Sequence, residues 1–464
     1  MKIQLVSAIG CLLVIGGLPV STPAQTREEF EPPTFTKESD AVVKLDSLVG
    51  GAEIWARDAA AVETAFKNKG LAWLNKETKD RAVIRPAEAL LKTETGGRSE
   101  IKFIRQQLEV FGRPVHEATL EFAAGKLSNV TLSIWNKGDA EQGITEARFN
   151  ELSTQSIQSA DAALKVRGRD MGRDTTTGAR TARYRWETPD TLAQLEFSSS
   201  RGEDRSFQAE FVRLRLMPRP KSLIGGNAAL VNAGRVNVAD LPKNLKRNEE
   251  GDVFIGSLPM VDQGEKGYCA VASAERVLRY FGLQIDQHEI ANAAATTATR
   301  GTRPDEFEDA IHAIQNKLKL KGRDLITFDE RDYEKLVQNY NREAKKLGGR
   351  SWDPYNYFFE ANPDILREAK CRNGAYEKFR GFVVAATDRG LPLLWALHLG
   401  QYPETGRDNP QGGGGHMRTI IGYNAKSDEV IFTDSWGAGH EFKKMKGRDA
   451  CAATLGLYLM EPNR

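Results

Sequence analysis

The second half of this chain changes its hydrophobic period once, and that single change limits the folds open to it. Apolar residues recur at helical spacing in the run that starts at "CAVASAERVLRYFG", then in "RPDEFEDAIHAIQNKLKL", "ERDYEKLVQNYNREAKKLG" and "AYEKFRGFVVAATDRG". After these the runs become short and rich in β-branched and aromatic residues: "PLLWALHL", "HMRTIIGYN", "EVIFTDSWG" and "TLGLYLM". Helices first and antiparallel strands last predict an α+β unit, residues 252–464, with a helical layer followed by a β-layer.

At 464 residues the chain exceeds one ordinary core, so a second unit is expected ahead of this one. Residues 46–217 read as a smaller α+β unit. "AEIWARDAAAVETAFKNKGLAWL" has helical spacing and stops near Gly70, and "VHEATLEFAAGKLSNVTLSIWN" alternates across a glycine turn as a β-hairpin. "TEARFNELSTQSIQSADAAL" is a further helix, and "TARYRWE", "TLAQLEFSS" and "FQAEFVRLRLM" are strands. Residues 218–251, punctuated by Pro, Gly and Asn, read as a linker. The four tryptophans Trp55, Trp73, Trp135 and Trp186 are expected in the core. The first 25 residues carry Lys2, the apolar run "LVSAIGCLLVIGGLPV" and small residues before Ala24, which predicts an export signal, followed by a polar arm over 26–45. No other stretch approaches the length of a membrane span, so a secreted or periplasmic protein is expected.

Charge excludes one class of function. With 65 basic against 63 acidic residues the net charge is +2, too balanced to predict a nucleic-acid partner. No glycine-rich phosphate loop, dinucleotide fingerprint or paired-cysteine metal site is present, and "GGGG" at 412–415 lacks the Lys-Ser/Thr ending, so no cofactor is expected. His116 and His288 each precede Glu without a second histidine four residues on, so the zinc-protease pattern is missing. His312 falls on a polar helix face. His398, in an apolar strand, reads as a core histidine and His440 as a loop residue.

The chemistry sits on one cysteine. Of four cysteines, Cys11 falls in the signal, which leaves Cys269, Cys371 and Cys451. An odd number in an exported chain points to a free thiol. Cys371 and Cys451 are candidates for pairing, with Cys269 then left over. Cys269 opens a helix whose apolar face is Val271, Ala274, Leu278 and Phe281, with Gly282 as its stop. In a first helical turn the unpaired N–H groups and the helix dipole favour an anion, and a thiolate is one. A nucleophilic thiol needs a base, and the base a partner that orients it. His416 heads one strand and Asp434 ends the next, so the turn at "NAKSDE" would bring the two together. Gln263, six residues before the thiol, offers an amide NH2 to a developing oxyanion alongside the Cys269 N–H.

These residues carry a resemblance. "DQGEKGYCAVAS" resembles the glutamine-to-cysteine segment of papain-like cysteine peptidases, and "HMRTIIGYN" with "DSWG" resembles their histidine strand and Asn-Ser-Trp-Gly segment. Aspartate in place of that asparagine, and the helices-then-strands order, are closer to the bacteriocin-processing, or double-glycine leader, branch. The resemblance covers about residues 255–464. It implies Cys269 as nucleophile, His416 as base, Asp434 as its orienting partner, Gln263 in the oxyanion hole, and Trp436 as the ring covering the histidine–aspartate pair. A peptide or protein substrate follows from it. "GYCAV" departs from the papain Gly-Ser-Cys-Trp, so pocket details do not transfer. An amidase or transglutaminase-like acyl transfer, or a binding module on the same fold, uses the same residues and stays open.

Overall fold

The computed structural model describes residues 41–462, apart from 50–51, 68, 75–80, 96–97, 138–143, 175–179, 202–204, 220–235, 264–267, 284–289, 291–319, 328–329, 354–360 and 438. The expected signal and most of the polar arm lie outside the described residues, as does most of the helix expected over 303–320. Only Leu320 of that run is described, and it begins a strand (Leu320–Ile326) instead.

Among the described residues two large hydrophobic cores form, one from residues before 217 and one from residues after 240, with a smaller cluster around Tyr340, Trp352 and Leu366 beside the second. The first is built on an eight-stranded sheet of β1 (Ala72–Leu74), β2 (Arg81–Arg85), β3 (Glu117–Ala123), β4 (Lys126–Asn136), β5 (Arg169–Asp174), β6 (Arg180–Glu187), β7 (Thr191–Arg201) and β8 (Phe207–Pro218). The strand order is β5-β6-β7-β8-β4-β3-β2-β1, antiparallel throughout. The hairpin expected over 115–136 is β3–β4. The first helical run breaks in two, a 3-10 turn at Ala52–Ala56 and α1 at Ala59–Lys67. The second is one helix, α2 (Glu146–Leu164), capped by Thr145, whose hydroxyl accepts from Arg148 N. Trp186 and Trp135 are buried, and Trp55 donates to Thr191 Oγ1 at 2.9 Å.

The second core lies between helices and a second sheet, so the layout expected for an α+β unit is what forms. Its elements are β9 (Leu245–Arg247), β10 (Asp252–Ile255), α3 (Cys269–Tyr280), β11 (Leu320–Ile326), α4 (Glu330–Leu347), α5 (Pro363–Lys370) and α6 (Ala375–Asp388). β12 (Leu393–Leu399), β13 (Gly414–Asn424), β14 (Glu429–Thr433), β15 (Lys443–Lys446), α7 (Gly447–Ala453) and β16 (Thr454–Pro462) complete it. The sheet runs β9-β10-β13-β12-β16-β11, with β14 and then β15 added beside β13. The last part of the stretch read as linker therefore belongs to this layer. Residues 245–247 pair with β10, and Leu241 is fully buried in the second core. Its Pro and Asn punctuation marks a 3-10 turn (Val238–Asn244) rather than free chain.

Local chemistry explains where these elements stop. Gly282 follows α3 at φ +76, the left-handed conformation that glycine adopts without steric cost, and Leu283 N bonds back to Leu278 O. α5 went unread in the sequence although it carries a clear start: Asn362 caps Asp364 N and Ile365 N, with Pro363 in the first turn. β13 is the central strand. A Cβ at Gly422 would meet Val253 O at 2.3 Å, so glycine is what lets β10 approach there.

Candidate active site

The pairing of β13 with β14 sets the geometry. Thr419 lies opposite Thr433, so the residue after the strand, Asp434, arrives beside the start of β13. Side chains two apart on a strand share a face, and His416 and Arg418 are two apart. Both reach the same carboxylate. His416 Nε2 lies 2.6 Å from Asp434 Oδ1, and Arg418 Nε donates to Oδ2 at 2.6 Å. The Ser435 backbone N–H donates to Oδ1 as well, at 2.9 Å. His416, Arg418 and Asp434 are all buried.

The turn that makes this pairing is held by Asn424, whose Oδ1 accepts from Lys426 N and Ser427 N. Asp428 completes it with a positive φ of 53°.

Behind Arg418 the charges continue in alternating sign. Arg418 Nη1 donates to Glu404 at 2.5 Å, and Lys443 Nζ lies 2.7 Å from Glu404 and donates to Asn409 at 2.6 Å. Arg418 and Lys443 have no exposed side-chain surface. A charge buried that deeply is tolerated only with its partners in place. The network therefore fixes where Asp434 sits.

α3 brings the thiol to this pair. Ser273 donates to Met417 O at 3.2 Å, and Arg276 donates to Asp434 O and to Thr433 Oγ1, both at 2.6 Å. Arg276 also donates to Pro259 O. Cys269, one turn before Ser273, is a free, partly exposed thiol lying against His416 and the Met417 backbone. Tyr268 at the N-cap makes no side-chain cap, so it does not consume the first-turn N–H groups.

Gln263 joins the same corner. Its N–H donates to Ser435 O at 2.8 Å, and its Oε1 accepts from Ser435 Oγ at 2.7 Å. With Oε1 on Ser435, the amide NH2 is turned to the other side. Trp436 stacks on His416 with ring centroids 4.2 Å apart and an interplanar angle of 12°. Arg418 lies over the Trp436 ring at 5.8 Å.

Electrostatics follow from these contacts. Burial pulls the His416 imidazole down, but the Asp434 carboxylate and the Cys269 sulfur outweigh it, and its pKa is held up at about 9. Burial pushes the Cys269 thiol up, yet His416 and the Met417 N–H overcome it and the thiol lies below its ordinary value. Asp434, resisting burial through His416 and Arg418, stays well below the usual carboxylate range. Each partner thus favours the charged form of the next. Among the described residues, His416 Nδ1 is left without a hydrogen-bond partner. With Nε2 committed to Asp434, Nδ1 is the nitrogen left on the thiol side.

The four residues singled out in the sequence converge, and Trp436 covers the pair as the resemblance implied. Arg418, Arg276 and Ser435 were missed. Arg418 had a signal, the His-x-Arg spacing of "HMR" opposite an aspartate. Arg276 had none, since its partners on the hairpin lie 157 and 158 residues away. His440 is buried, edge-on to Trp436 at 5.6 Å, and burial together with Lys443 drives its imidazole down to about 4, so it is neutral. His398 is buried in β12 against Leu399 O. Cys371 and Cys451 are unpaired, buried thiols, and Cys371 donates to Arg448 O. His288 and His312 lie outside the described residues. The described residues contain no group of His, Cys, Asp and Glu able to hold a metal ion, and no described helix is long and apolar enough to cross a membrane.

A thiol at a helix start, facing a strand-borne histidine that an aspartate holds and a tryptophan covers, defines a papain-like arrangement. The comparison with known families agrees: residues 255–454 match the Peptidase_C39 like family, which supports a papain-like cysteine peptidase unit of the bacteriocin-processing branch. No curated protein matches the chain.

Proposed function

We propose that this protein is an exported cysteine peptidase that hydrolyses peptide bonds through Cys269, His416, Asp434 and Gln263. The observation that carries the reading is the His416 imidazole, bonded by Nε2 to Asp434 at 2.6 Å and turned by its other nitrogen to the Cys269 thiol. The Cys269 thiolate attacks the carbonyl carbon, and the oxyanion is met by the Gln263 amide NH2 and the Cys269 backbone N–H. His416, as imidazolium, gives its Nδ1 proton to the leaving amine, and a thioester remains. A water then loses a proton to His416 and attacks the thioester. The C–S bond breaks, the acid leaves and the thiolate is expelled, while the proton taken from water stays on His416 and restores the thiolate–imidazolium pair. Asp434 stays ionised throughout and holds the ring.

Export rests on the n-region, apolar run and small residues of 1–25. In the same reading residues 46–217 and the C-terminal residues form two units, with the second beginning near 236 rather than 252.

The test is a defined peptide mixture incubated with the full-length protein and with Cys269→Ala, with new termini identified by mass spectrometry. Cleavage confined to the wild type is the expected result. An absence of cleavage together with amide products when amines are added would favour acyl transfer, the second reading the same residues allow. If a thiol-directed probe labels Cys269 no faster than free cysteine, neither enzymatic reading survives.

A further inference from the structure

α3 is buried on every side. From Ala270 to Leu278 each residue is buried, Glu275 and Arg276 included. A helix resting on one layer shows one apolar stripe and one wet face, so a second layer must cover this one. At about 100° per residue, Cys269, Ser273 and Arg276 share the face that meets β13 and β14. Tyr268, Glu275 and Arg279 share a neighbouring face, and it meets the first sheet.

The contacts on that face are polar and reciprocal. Tyr268 Oη donates to Asn136 Oδ1 at 3.3 Å. Arg279 donates to Glu121 and, at 3.4 Å, to Glu275. Glu275 lies 3.7 Å from Arg81. Arg81 and Glu121 are direct cross-strand partners on β2 and β3. The four charges thus close a ring, Arg81–Glu275–Arg279–Glu121, two from each sheet-and-helix layer. Asn129 takes the second oxygen of Glu121 at 3.1 Å, so that carboxylate is bonded on both sides. Removing the sheet would leave Glu275 and Arg279 of α3 without their outer partners and the helix start without its Asn136 contact.

We propose that the first sheet is a permanent brace of the Cys269 helix, with Tyr268 and Arg279 as positioning residues that hold the thiol in register with His416. A segment that blocks the cleft would have the opposite effect on the thiol when loosened. The inference rests on the reading of Cys269 as the nucleophile.

The experiment is alkylation of Cys269 by iodoacetamide in the full-length chain, followed by mass spectrometry across pH. It compares wild type, Tyr268→Phe, Glu121→Gln and the surface control Arg148→Ala. Tyr268→Phe removes one oxygen from a buried ring, so its fold is retained, and thermal unfolding checks both variants. The expected result is a rate at neutral pH lower on the order of three- to tenfold in each variant, with the acidic limb of the pH–rate profile moved upward and the control unchanged. Slower labelling with an unmoved limb would mean a merely structural contact and overturn the brace. Faster labelling would mean an inhibitory layer and overturn it equally. Wild-type Cys269 reacting like free cysteine would instead end the enzymatic reading itself, which separates the two failures.

Discussion

The two halves of the site are held by different kinds of contact. The His416–Asp434 half is local. Its partners are 16 to 18 residues apart on one hairpin, and the carboxylate receives His416, Arg418 and the Ser435 N–H within a single turn of chain. The Cys269 half is remote. Its helix is tied to the hairpin through Arg276, across 157 and 158 residues, and to the first sheet through Tyr268 and Arg279, across 132 and 158. The local half is fixed by register and buried charge, the remote half by the docking of whole layers. Damage to the first should therefore appear as lost chemistry or a lost fold, and damage to the second as a thiol that is present but less reactive.

The sharpest break of the local half is Asp434→Asn. It keeps the shape but removes the charge that holds His416 up at about 9. Peptide turnover is expected to fall about a hundredfold or more, measured as kcat/KM on any peptide the wild type cleaves. A loss of less than tenfold would mean that Arg418 and Trp436 alone orient the ring. Next comes Arg418→Leu, which strands the buried Asp434 carboxylate and takes a partner from the half-buried Glu404. Denaturant unfolding should show a loss of about 3–5 kcal/mol, and a variant as stable as wild type would show that the network does not need its arginine.

Smaller is Ser435→Ala, which takes away the hydroxyl that orients the Gln263 amide. A fall of on the order of threefold to tenfold in kcat is expected, with KM little changed. A change in KM alone would place Gln263 in ground-state binding instead of the oxyanion hole. The smallest effect concerns stability against pH. His416 has a folded pKa raised above its ordinary 6.5, so its contribution is complete below about 6.5 and is lost as pH rises through about 9. The thermal midpoint should decline across that window in wild type and decline less in His416→Ala.

The same contrast explains what was legible beforehand. Period and turn chemistry are local, so the α+β order, the β3–β4 hairpin, α2 with its Thr145 cap and the Gly282 stop were all readable from neighbouring residues. The meeting of His416 with Asp434 was readable for the same reason, as a hairpin fixes both ends at once. Arg276 was not, because its acceptors, two backbone oxygens and the Thr433 hydroxyl, are brought near only by tertiary packing. Nor was the face of α3 carrying Glu275 and Arg279, since charges on a helix read as a solvated surface until another layer covers them. The stretch before β9 was misjudged because Pro242 and Asn244 signal a turn without saying whether the turn is buried. α5 was missed because eight residues are too few for a period, although its Asn-Pro start was visible.

The central claim is a thiolate–imidazolium pair between Cys269 and His416. Its most direct test is the ultraviolet absorbance of the thiolate titrated against pH, as the difference between wild type and Cys269→Ala, repeated in a His416→Ala background. The account predicts a wild-type midpoint below the ordinary thiol value of 9.0 and a return to or above that value without the histidine. A wild-type midpoint at or above 9.0, or one that His416→Ala leaves unmoved, would contradict it.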